Sequence, residues 1–392
     1  MARGLAAALL AGLALSGGCA ATSSTGAAAG SSRAAAAGSS RAAVAGTPES
    51  APANRGPARA LRGDDLVLDL NPAAEILSLW MEPNDDVRSR ARAIATDLPY
   101  LTLRNYYSTM MRCVPSDAEV ARAIAVPDSG ICGFGLESAY RERASVDSLV
   151  RALVLRGGAI RARVAADVAA YVPKRPWKPI RVFFVIATRY LFDAVTLDRS
   201  LDGGGPTVLF NLSEALNYGG STEERMAIVE RVLAHETFHA ALRQLEFGEP
   251  GWRHYHDPTN TFDYIARVML DEGVAHYIDW KERAGADTLF AARLSSRERK
   301  AFDQLALACR RLRDPQTDPE AREEILGLAA TGPIWSKYGA ISGMFAAWRI
   351  ERAWGRDSLR AAVVGGPREL RRLYATAAAA DTSLKRWPKE LE

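Results

Sequence analysis

Ser221-Thr222-Glu223-Glu224 opens, and Ala234-His235-Glu236-Thr237-Phe238-His239-Ala240 continues, the stretch from which the fold can be argued. The first four residues form a Ser-x-x-Glu capping box, in which the Ser221 hydroxyl accepts from the Glu224 amide while the Glu224 carboxylate reaches back. Met226, Val229, Val232 and Leu233 follow at helical spacing toward Leu245, and Gly248 supplies an end. The pattern predicts a helix from 221 to about 245, the longest helical signal in the chain. On such a helix His235 and His239 sit about 40° apart in azimuth and about 6 Å apart along the axis. Both imidazoles can therefore reach one ion, the His-Glu-x-x-His arrangement of zinc-binding helices.

Each residue type has a reason to be there. Neutral imidazoles suit Zn²⁺ at about 2.0–2.1 Å, and Glu236, beside the first ligand, projects to the side of the ion. From there it can take a proton from metal-activated water, whose pKa falls to about 7. Leu233, Ala234, Thr237, Phe238, Ala240 and Ala241 are uncharged, as a buried helix requires. The chain has five histidines, at 235, 239, 254, 256 and 276, all within one short segment, so a metal or acid/base site belongs there.

A catalytic zinc takes three protein ligands. A His-x-x-Gly-x-x-His continuation is excluded, because Leu242 and Leu245 stand three and six places after His239. A second predicted helix, Thr261 to about Lys281, carries Asp271-Glu272-Gly273-Val274-Ala275-His276, and Glu272 is its candidate ligand. Gly273 and Ala275 are small enough to let two helices approach around an ion. His276, on the same face as Glu272, competes as third ligand. His254 and His256 lie on the connection between the helices, either as loop residues or at a cleft rim. Tyr338, ahead of a helix from Gly339 to Trp354, is a candidate donor to an oxyanion.

With these residues the chain resembles the gluzincins, zinc metallopeptidases with HExxH on one helix and a glutamate ligand on a following helix. Through Leu233 to Ala241, Asp271 to Tyr277, and Tyr338-Gly339 to Gly355 it is similar to a bacterial family of zinc-dependent peptidases. The resemblance spans about 180 to 385. It implies a zincin-like catalytic domain whose cleft lies between a sheet-bearing part and a helical part, with Thr207 to Leu212 as an edge strand aligning an extended peptide. It also implies Zn²⁺ on His235, His239 and Glu272, Glu236 as general base, and a peptide or protein substrate. Some gluzincins have Asp four places after the glutamate ligand, where it orients a histidine ligand; here that place is His276. Asp271, Asp279 and Asp263 are the alternatives for that contact. A non-catalytic cell-envelope binding protein with a peptidase-like zinc site is the other reading; the intact Glu236 favours catalysis.

Upstream, three prolines between Val172 and Pro179 stop any helix. Ile180 to Ala187, Ala194 to Leu197 and Thr207 to Leu212 then read as strands. Before them, 61–171 is mainly helical: Ala73 to Trp80 with Asn71 as N-cap, Val87 to Leu98, Ser145 to Leu155, and Ala159 to Tyr171. The expected class is α+β, a mainly helical region at 61–171 followed by a zincin-like domain at 172–392 with a small sheet and the HExxH helix. Cys113 and Cys132 are a candidate disulfide, and Cys309 reads as a buried thiol. Over 392 residues the net charge is +4 with no basic block, which gives no nucleic-acid footprint.

The N-terminus reads as a signal peptide at 1–18. Its apolar run, Leu5 to Leu15, is too short to span a bilayer of about 30 Å. Leu15-Ser16-Gly17-Gly18-Cys19 resembles a bacterial lipoprotein signal in which the cysteine is acylated, and the Ala/Gly/Ser-rich stretch at 19–60 cannot bury a core and reads as a disordered tether. The expectation is export as a membrane-anchored lipoprotein of the cell envelope, touching the membrane only through Cys19. Mass spectrometry of the native protein should find an acylated peptide beginning at Cys19. A soluble protein that retains residues 1–18 would refute this.

Overall fold

The β-branched and aromatic runs of the sequence pair into one sheet, seen in a computed structural model. It describes residues 61–392 apart from 63–64, 83–84, 111–113, 129, 132–133, 174–177, 190–191, 199, 256–259 and 287. The signal and tether segments with Cys19, the Cys113–Cys132 pair and His256 lie outside the described residues. The strands are β1 (Leu61–Arg62), β2 (Leu66–Asp69), β3 (Ile180–Val185), β4 (Ala194–Leu197) and β5 (Thr207–Asn211), in the order β1-β2-β3-β5-β4. The β2-β3-β5 core is parallel, and β1 and β4 close its two sides antiparallel. All of β5 and all but one residue of β3 are buried, as suits strands covered on both faces.

Two expectations change here. Thr207–Asn211 is not an edge strand but sits between β3 and β4; its unbroken buried run marks an interior position, and the edge belongs to β4, where Thr196 and Leu197 are half-buried. The boundary at 171/172 does not divide the fold either. Leu66–Asp69 pairs with Ile180–Phe183 across it, and a single apolar core runs from Leu66 to Leu391.

The helices are α1 (Asn71–Met81), α2 (Val87–Thr96), α3 (Leu98–Met110), α4 (Asp117–Ala125), α5 (Glu137–Arg141), α6 (Arg143–Ala169) and α7 (Leu212–Ala215). After them come α8 (Thr222–Glu246), α9 (Thr261–Ala286), α10 (Thr288–Arg313), α11 (Pro319–Ala330), α12 (Tyr338–Trp354), α13 (Arg356–Gly365) and α14 (Pro367–Ala380). Asn71 is the first residue of α1 and not its cap, since its amide donates to Asp69 Oδ1 at 3.0 Å. The two helices expected between 145 and 171 are one: Gly157-Gly158 lowers helix propensity there but packing carries α6 through. Among the described residues no helix is long and apolar enough to cross a membrane.

Helix α8 starts with the expected capping box: Glu224 N donates to Ser221 Oγ at 3.2 Å, and Ser221 N donates to Glu224 Oε2 at 3.0 Å. From Val232 to Glu246 every residue but Gln244 is buried. The cause is packing on several sides at once, against α6, against the β4-β5 side of the sheet, and against α9. Helix α9 is backed in turn by α12. Gly273 of α9 does not serve an approach of the two zinc helices, as expected, but this second crossing: a Cβ there would lie 2.5 Å from the Gly343 carbonyl carbon of α12. A Cβ on Gly343 would overlap the Met269 carbonyl of α9.

Gly343→Ala should therefore push α9 and α12 apart and lower stability by about 1–3 kcal/mol, the usual cost of overpacking. Thermal melting of the purified variant checks this; an unchanged midpoint would show that the crossing tolerates a methyl group.

Candidate metal centre

Helix α8 brings His235, Glu236 and His239 to face α9, which carries Asp271, Glu272 and His276. Their relative exposures are 2%, 0% and 4% on α8 and 3%, 3% and 0% on α9, so the cluster is shut from bulk water. His235 Nε2 and His239 Nε2 lie 3.1 Å apart, His239 Nε2 lies 3.6 Å from Glu272 Oε1, and His235 Nε2 lies 3.9 Å from Glu272 Oε2. A tetrahedral ion with ligands at about 2.0–2.1 Å would need separations of roughly 3.3 Å. The two Glu272 distances are to different oxygens, and the sets whose ligand atoms all lie within 4.8 Å of one another are His235, Glu236 and His239 on one side and His235, Glu272 and His276 on the other, so one ion held by His235, His239 and Glu272 needs the Glu272 carboxylate to turn.

The donor chemistry points the same way. His239 Nδ1 lies 2.6 Å from Asp271 Oδ1, and the Ala275 carbonyl is a hydrogen-bonding partner of the His235 ring. The His239 ring thus turns its Nδ1 to an acceptor, which leaves its Nε2 facing His235 Nε2 and Glu272 Oε1. Burial by itself would lower the His239 pKa, but Asp271 and then Glu272 outweigh it and push the imidazole up to about 9. Proton and metal therefore compete for its Nε2.

Of the three candidate acids Asp271 is the one against His239; the other two are engaged elsewhere, Asp279 with Arg231 at 3.4 Å and Asp263 with His254 at 2.8 Å. Behind Asp271 lies a chain of charges, buried except at Asp198. Arg243, one turn after His239 on α8, reaches Asp271 Oδ2 at 2.9 Å, Glu246 Oε1 at 3.0 Å and Asp198 Oδ1 at 3.0 Å. Arg267 of α9 donates to Glu246 Oε2 at 2.9 Å and to the Tyr255 carbonyl at 2.7 Å. Burial would raise the Asp271 pKa, but Arg243 and His239 outweigh it and hold the carboxyl well below the usual range. Arg243 and Arg267 are balanced by Asp271 and Glu246, so Glu272 is left to the imidazoles.

Glu236 has a different setting. One of its carboxylate oxygens lies within 4.8 Å of the ligating atoms of both His235 and His239. The Thr196 hydroxyl, on edge strand β4, is 2.8 Å from Glu236 Oε2 and 2.9 Å from the Glu236 carbonyl, while Oε1 is buried without a hydrogen-bond partner. Burial, only partly offset by His239 and Thr196, pushes the carboxyl up to about 7. A divalent cation held by its neighbours would draw it back toward the ionised form.

The remaining expectations divide. The structure does not bring Tyr338 into the cluster: its hydroxyl donates to the Ile325 carbonyl of α11 at 2.9 Å, so the oxyanion role has no geometric support. His254 is exposed and tied to Asp263. His276 does join, with Nε2 4.0 Å from Glu272 Oε2. Sequence reasoning missed Thr196, Arg243 and Lys337. Burial pushes the His235 and His276 imidazoles well below the ordinary range and raises the Glu272 carboxyl; the ammonium of Lys337, 1% exposed ahead of α12, adds to the first effect and opposes the second. Only Arg243 had a signal in the sequence, as a lone charge in the apolar run Ala240-Ala241-Leu242.

The profile of a family described as "Putative zinc dependent peptidase (DUF5700)" matches residues 134–383, which is most of the chain and all of this cluster. The chain belongs to the DUF5700 family. No curated protein and no solved structure matches it. In this DUF5700 protein His235, Glu236 and His239 on α8 and Asp271 and Glu272 on α9 all lie inside the matched region.

Asp271→Asn removes the charge that orients His239 and leaves Arg243 partly unbalanced. Zinc affinity measured by chelator competition should drop about 10–100-fold. An unchanged affinity would mean that His239 is held in place by packing alone.

Proposed function

We propose that this protein is a zinc-dependent peptidase in which His235, His239 and Glu272 hold the ion and Glu236 is the general base. Zinc bound there would act as a Lewis acid, making water acidic near neutral pH and polarising a carbonyl. The chain's own residues supply the rest. Glu236, with Oε1 buried and unpaired and a carboxylate oxygen within 4.8 Å of the ligating atoms of both imidazoles, is placed to accept a proton and return it to a leaving amine. This setting of Glu236 carries the proposal, because a purely structural zinc needs no poised carboxylate beside its first ligand.

The substrate class follows from β4. Its outer side pairs with no strand among the described residues, and its Thr196 touches the base directly. An extended peptide adding to that edge would run past Glu236 by main-chain pairing. With the cluster 4% exposed or less, entry requires the covering segments to move aside. Anchoring through Cys19 would place this activity at the cell envelope. The alternative, a non-catalytic envelope binding protein with the same zinc site, would keep metal and peptide binding without hydrolysis.

Glu236→Gln keeps the shape of the side chain but cannot accept the proton. Cleavage of a peptide library should fall by about 10²-fold or more while zinc stays bound. Loss of zinc in this variant would make Glu236 a ligand, and unchanged hydrolysis would place the chemistry elsewhere. A wild-type protein that binds zinc and cleaves nothing would favour the binding alternative.

A further inference from the structure

His276 has no part in that scheme, yet it is buried in the same cluster. It lies one helical turn after Glu272 on α9, 0% exposed, and neither of its ring nitrogens has a hydrogen-bond partner. Buried polar groups are nearly always paired, and an unpaired imidazole in a core is costly. A structural histidine would normally donate at least one ring N–H to a carbonyl, and this one does not. Its surroundings are instead those of a metal donor. Its Nε2 is 4.0 Å from Glu272 Oε2, which is itself without a hydrogen-bond partner, and its ring centroid is 4.7 Å from that of His235. One ligand atom each from His235, Glu272 and His276 all fall within 4.8 Å of one another. Glu272 thus straddles the cluster, with Oε1 toward His239 and Oε2 toward His235 and His276.

We propose that His276 is a fourth protein donor to the metal, so that the resting centre is three imidazoles and one carboxylate. The inference rests on the zinc assignment above and deepens it. A catalytic zinc usually leaves its fourth position to water or substrate. Here His276 occupies it at rest and has to yield for hydrolysis.

The test uses the full chain, loaded with Zn²⁺ for affinity and with Co²⁺ for its visible spectrum. In His276→Leu, chelator competition should show zinc bound at least tenfold more weakly, and the cobalt bands should shift with the loss of a nitrogen ligand. The metal-free variant should melt at the same temperature as the metal-free wild type or higher, because an unpaired imidazole gives way to an apolar group. In His276→Cys the cobalt protein should gain a thiolate-to-metal charge-transfer band in the near ultraviolet, which packing alone cannot produce. An unchanged zinc affinity in the Leu variant with no such band in the Cys variant would overturn the inference. So would a Leu variant destabilised equally with and without metal. If the wild type itself takes up neither Zn²⁺ nor Co²⁺, the zinc assignment fails first; if it takes up both and the variants match it, only the role of His276 falls.

Discussion

The ion pair between Arg243 of α8 and Asp271 of α9, 2.9 Å apart inside the protein, is the contact on which the centre depends. Two charges out of water require each other and further hydrogen bonds, and removing one partner of such a pair costs about 3–5 kcal/mol. Those further contacts are present. Asp271 also meets His239 Nδ1, and Arg243 also meets Glu246, which in turn binds Arg267. The network fixes the height and rotation of α9 against α8. Glu272, next in sequence to Asp271, is thereby set beside two imidazoles to which it has no covalent tie.

A rigid backing is needed on the far side of α9, and α12 provides it. The glycines at 273 and 343 bring the two backbones into contact, so α9 is held between α8 and α12. Any side chain at the crossing would move Glu272 by a sizeable part of the few ångströms that separate it from the imidazoles. Lys337, at the start of α12, places its field on the same cluster. The helix that supports the geometry therefore also shapes the electrostatics.

The sheet enters through β4. Thr196 binds Glu236, and Asp198, just beyond the strand, binds Arg243 at 3.0 Å. The open edge is joined in this way both to Glu236 and to the charge network behind His239. In the proposed scheme a peptide aligned on β4 would lie against residues in register with His235 and His239, which gives main-chain recognition and chemistry a common frame.

Helix α8, its capping box and the His235/Glu236/His239 set were legible in the sequence because helical geometry settles them within a few residues. Glu272 stood out as a candidate as well, since it precedes Gly273 on a second helix, although Asp271 beside it is acidic too. What remained hidden depends on contacts between distant segments. Nothing local says that Leu66–Asp69 pairs with Ile180–Phe183, or that β5 lies inside β4, because strand order follows from how faces are covered and not from the alternation within a strand. The same holds for Asp271 over Asp263 and Asp279, for Thr196 beside Glu236, and for Tyr338, whose hydroxyl is claimed by Ile325. The sequence by itself determined which side chains could ligate a metal. Only the packing of α8, α9, α12 and β4 decided which of them meet, because burial forces each polar group to find whatever partner the fold brings within reach.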